Sequence, residues 1–77
     1  MEAVAHGDAR SSQVIGKQVD DIDLPSGVVI GAIVREDDVI MVHHNTVIKA
    51  EDHVILVVTD KRQVRDVEKL FQVNTPA

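Results

Sequence analysis

The sequence predicts a small α+β domain: a mostly antiparallel β-sheet with a short helical turn and one C-terminal helix packed on it. Three observations carry that expectation. Two runs rich in β-branched residues, 28–34 and 53–59, show no polar alternation, the pattern of strands covered on both faces. Pro25-Ser26-Gly27 stands before the first run as a turn signal, because Pro presets φ and Gly tolerates φ > 0. Near the C-terminus Val64, Val67, Leu70 and Phe71 fall at i, i+3, i+6 and i+7, one apolar stripe of a helix. With 77 residues the chain fits a single domain and has no room for a separate catalytic lobe.

Residues 1–12 read as the tail of a preceding helix and a linker: Glu2 to His6 is helix-compatible, and Gly7 suits a position just past a helix end. Gln13-Val14-Ile15 is a short strand candidate ended by Gly16. Val19, Ile22 and Leu24 then fit a single helical turn with its apolar side toward the core. After the turn at Pro25, residues 28–34 form the main strand and 39–42 the return strand. Arg35-Glu36-Asp37-Asp38 between them predicts an antiparallel hairpin with a four-residue loop. His43-His44-Asn45 breaks the return strand, Thr46-Val47-Ile48 is a strand stub, and Lys49-Ala50-Glu51-Asp52 turns the chain into the last strand. Asp60 can cap the closing helix, with Gln63 as its capping-box partner and Arg62–Asp66 as an i, i+4 pair on the outer side. Residues 73–77 read as a disordered tail. One helix covers one sheet face, so the other face needs a second copy or another domain.

Composition excludes several classes of function. A net charge of −5, from 13 acidic and 8 basic residues, opposes nucleic-acid binding, and the single aromatic, Phe71, leaves little for bases to stack on. No apolar run approaches the roughly 18 residues that span a bilayer, so no direct membrane insertion is expected. Without a basic, then apolar, N-terminal segment there is no signal peptide, which points to the cytoplasm. Ser11, Ser12 and Ser26 lack a nearby His–acid pattern, so no catalytic residues are assigned and no enzyme is expected. His43, His44 and His53 are the nearest approach to a metal site. Adjacent strand residues point to opposite faces, and two imidazoles without a carboxylate or thiolate bind weakly, so they read as solvated histidines. The acidic groups Asp20, Asp21, Asp23 and Glu36, Asp37, Asp38 lack calcium-loop spacing and read as solvated turns.

The ordered series of segments resembles the TrkA C-terminal domain family, also called the RCK C-terminal domain. Val14-Ile15-Gly16-Lys17, Ile22-Asp23-Leu24-Pro25 with Gly27, the core strand ending in Arg35, and the turn aspartate Asp52 carry the resemblance, which runs over residues 13–71. It makes 13–72 the regulatory domain. Two departures stand out: Glu51 where the family turn carries Gly, and His43 where the return strand ends near Pro. The first implies a changed turn or a left-handed strain of roughly 1–2 kcal/mol.

The resemblance implies a regulatory cytoplasmic domain of a potassium-uptake transporter subunit, peripheral on the inner membrane through its parent complex. It would act by homodimerisation and by ligand- or conformation-dependent gating of a membrane potassium transporter subunit. NAD or ATP would belong to a preceding Rossmann-type domain, leaving no cofactor for these residues. The alternative is a ligand-sensing or purely structural dimerisation domain of another transporter, for an anion or organic acid. The candidate dimer or ligand interface is the central strand, Val28, Val29, Ile30, Gly31, Ala32 and Ile33, where small Gly31 and Ala32 would let another backbone or a ligand come close.

Overall fold

In the computed structural model, which describes residues 1–73, the two unbroken apolar runs become the central pair of a four-stranded antiparallel sheet. The strands are β1 (Glu2–Val4), β2 (Val28–Arg35), β3 (Asp38–Met41) and β4 (His53–Val58), in the spatial order β1-β4-β2-β3. A 3-10 turn at Val19–Asp21 precedes β2, where a helical turn was expected. A second 3-10 turn, Lys61–Gln63, leads into α1 (Val64–Leu70). Residues 74–77, most of the expected tail, lie outside the described residues.

α1 and the loops cover one face of the sheet. Val67 and Phe71 join Val28, Ile33, Val54 and Leu56 of the strands and Val14, Ile22 and Ile48 of the connecting loops in one buried cluster. The Asp60 carboxylate caps the closing helical segment by accepting the Arg62 N–H at 2.9 Å. Arg62 turns its guanidinium back onto Asp60, with Nη2 2.8 Å from Oδ2, rather than forward onto Asp66.

Three expectations are corrected. The expected helix tail of residues 1–12 contains strand β1, whose Ala3 lies opposite Val54. So short a segment makes a marginal helix in water, while the free edge of β4 offers it hydrogen bonds. The Leu56 N–H donates to Met1 O at 2.7 Å, and the Ala5 N–H to Asp52 O at 2.9 Å. Gln13-Val14-Ile15 is a turn rather than a strand, because the Ser12 hydroxyl accepts the Val14 and Ile15 amides at 3.1 and 3.2 Å. Ladder pairing begins only after it, with the Gly16 N–H donating to Ile48 O at 2.8 Å and Gln18 bridging Val47. Finally, Arg35 pairs with Asp38, so the hairpin loop is the two residues Glu36-Asp37, with Glu36 at φ 56°. A two-residue loop whose first residue takes φ > 0 follows the right-handed twist of the flanking strands, which an unprimed turn would splay.

Candidate functional site

The candidate site grows out of strand alternation. In β4, Val54 and Leu56 face the core, so His53, Ile55 and Val57 face the other way. Cross-strand pairing extends this outer face over the whole sheet. One row runs Glu2, Ile55, Ala32, Met41; the next runs Val4, His53, Val34, Val39; Val57 and Val29 stand opposite each other beyond them. Among the described residues nothing covers this side. Val29 is 58% exposed, Val57 54%, Val39 70% and Met41 71%. Both runs had the sequence of strands covered on two faces, and the described residues cover only one.

The candidate interface strand is divided by this geometry. The β2–β4 register shifts between Ile30 and Ala32, leaving Gly31 as the extra residue of a bulge. Val28 and Ile33 are buried and Ile30 packs against the core, so these three side chains face the core side of the sheet. Val29 and Ala32 point outward and belong to the open face. A Cβ on Gly31 would meet only the Ile55 carbonyl oxygen, at 3.8 Å, an ordinary contact, so nothing within the chain packs closely against this position.

Among the outward strand positions, two carry ionisable groups, and they meet. His53 Nδ1 lies 3.5 Å from Glu2 Oε2, with both side chains about half exposed. A second pair, His6 Nδ1 with Glu51 Oε2 at 3.4 Å, lies just beyond the end of the β1–β4 ladder. His53 therefore stands at the start of β4, as expected, and meets a carboxylate. The His43 N–H donates to Thr46 Oγ1 at 2.9 Å and closes the turn after β3. Among the described residues no three or more His, Cys, Asp or Glu side chains converge as they would around a metal ion.

The charged pair that sequence reasoning missed lies at the far end of β2. Asp52 is 1% exposed; its Oδ1 accepts from Arg35 Nε at 2.8 Å, and its Oδ2 from Arg35 Nη2 at 2.7 Å and the Lys49 N–H at 2.8 Å. Arg35 Nη2 also donates to Val47 O at 3.1 Å. Burial works to raise the Asp52 pKa. The Arg35 hydrogen bonds, the Lys49 amide and the two positive charges outweigh it and hold the carboxyl below its ordinary value. This fork-to-fork contact joins the end of β2, the 47–49 loop and the start of β4, and it braces the sheet rather than offering a reactive group. Its sequence signal was a carboxylate immediately before a buried strand, which has to find a cation.

With this geometry in hand, the chain can be set against known proteins. The family model for the TrkA-C domain matches residues 9–72. The Trk system potassium uptake protein TrkA of Halomonas elongata is 58% identical over 73 residues, and that of Vibrio alginolyticus 51% over 72. These alignments take in 95% and 94% of this chain but 16% of each relative's length. Two solved structures share the fold. A structure of an RCK domain with cda superposes with a TM-score of 0.76 at 15% identity, covering 94% of this chain and 96% of that one. An RCK_C domain dimer of S. agalactiae BusR in complex with c-di-AMP gives a TM-score of 0.73 at 24% identity, covering 92% of each.

Proposed function

The chain belongs to the TrkA-C domain family, and from that premise we propose that it regulates a potassium-uptake protein by pairing with a second copy through its open sheet face. The carrying observation is that face itself: two cross-sheet rows, largely apolar, with Val29, Val39, Met41 and Val57 in water. At about 25 cal/mol per Å² of apolar surface removed from water, such a patch favours a partner. A second copy suits it, because the outward ionisable side chains, Glu2 and His53, meet each other at the β1 side and leave the rest of the face uncharged. The BusR RCK_C dimer supports pairing within this fold, and its c-di-AMP supports a small effector that acts on the paired form.

Regulation follows from differential contact. An effector that binds one arrangement of the two copies better than another shifts the balance by that difference in affinity. The shift would reach a membrane potassium transporter subunit through the parent protein, on the cytoplasmic face of the inner membrane. Among the described residues no helix is long and apolar enough to cross a membrane. NAD or ATP is assigned to a preceding Rossmann-type domain, and no catalytic step is assigned to these residues. The potassium uptake relatives favour this reading over an anion or organic-acid transporter.

The test is potassium uptake in cells whose parent protein keeps or lacks residues 13–72, with protein level followed by immunoblot. Loss or deregulation of uptake at normal protein level is the expected outcome. Unchanged uptake would leave a purely structural role.

A further inference from the structure

We propose that pairing through the open sheet face is linked to protonation of His53, so that copies of this chain associate more tightly in mild acid than above neutrality. The inference rests on the pairing reading and adds its regulation. His53 and Glu2 stand at the β1 side of the face, 3.5 Å apart, among outward side chains that are otherwise uncharged. Opposite His53 lie Val4 on β1 and Val34 on β2. The other charged groups nearby are the His6–Glu51 pair beyond the ladder and the Met1 ammonium, which donates to Leu56 O at 2.7 Å.

In the single chain both members of the pair are about half in water, so their attraction is screened. A second copy over the face removes that water. With a protonated imidazole the pair becomes a desolvated ion pair whose mutual attraction grows as the local dielectric falls. With a neutral imidazole the Glu2 carboxylate loses water and gains no countercharge, which costs affinity. Association therefore takes up protons wherever the imidazole is otherwise neutral. The added affinity is present while the imidazole carries its proton and is lost as pH rises and the proton leaves.

Analytical ultracentrifugation of the 77-residue chain from pH 5.5 to 8.5 tests the linkage. The expected result is a dissociation constant that rises about three- to thirtyfold across that range, since each copy contributes one pair of modest strength. His53→Gln and Glu2→Gln should each flatten the dependence, while His6→Gln should keep it. A pH-independent constant, or an undiminished slope in His53→Gln, overturns the linkage and leaves the pairing standing. A chain that remains monomeric at every pH and at high concentration overturns the pairing, and the linkage with it.

Discussion

At the scale of single residues, Asp52 is the side chain whose loss the fold would feel most sharply among the charged ones. Its carboxylate is enclosed and accepts three N–H donors, two from Arg35 and one from the Lys49 backbone. Asp52→Asn presents an amide N–H to a guanidinium that needs an acceptor. Breaking a buried pair costs about 3–5 kcal/mol, and Arg35 is 27% exposed here, so a loss of about 2–4 kcal/mol at pH 7 is expected. Thermal or urea unfolding of the two proteins would measure it. The pH dependence has a definite sign. Because the folded carboxyl is held below its ordinary value, its stabilisation is full above about pH 3.9 and is lost as pH falls from there through the lower folded-state value. The gap between wild type and Asp52→Asn should therefore narrow in acid. A gap that widened below pH 4 would contradict this account of the site.

At the scale of elements, two turns hold a glutamate in the left-handed region, Glu36 at φ 56° in the β2–β3 hairpin and Glu51 at φ 68° before β4. Residues with a Cβ lose roughly 1–2 kcal/mol there, while Gly loses more unfolded-state freedom on folding. The difference predicts that Glu36→Gly stabilises the chain by about 0.5–1 kcal/mol, read as a rise in the unfolding midpoint. Glu51→Gly should gain less, because it also removes the contact with His6. The strain at Glu51 was legible in advance, since the family turn carries Gly there. β2, β3, β4 and α1 were legible too, because each carries its own periodicity or an unbroken apolar run. β1 was not: three residues hold no period, and they form a strand only because β4 has an edge to fill. The division of residues 28 to 33 was also hidden. Gly31 can be read as a possible bulge, but the register shift that turns Val29 and Ala32 outward and Ile33 inward depends on how β2 meets β4.

For the whole molecule, the decisive asymmetry is between a sheet face closed by α1 and the loops and a sheet face left open. A substitution on each side separates folding from association. Ile33 is fully buried, and truncating it to Ala would cost about 2–5 kcal/mol of stability whatever the chain binds. Val57 lies on the other side, opposite Val29 and half in water. Val57→Glu should shift stability by no more than about 0.5 kcal/mol. In a pair closed over this face, however, it would place a carboxylate in each half of an apolar contact. Such unpaired charge resists desolvation, so the association constant should fall at least about tenfold, since each 1.4 kcal/mol is a factor of ten. Sedimentation beside a thermal melt distinguishes the possibilities. Weakened pairing with an unchanged melt locates the contact on the open face. Unchanged pairing moves it to the free edge of β3, a four-residue strand whose outer hydrogen bonds another strand could take. An edge contact would continue the sheet without covering Val57, and so would tolerate the new charge.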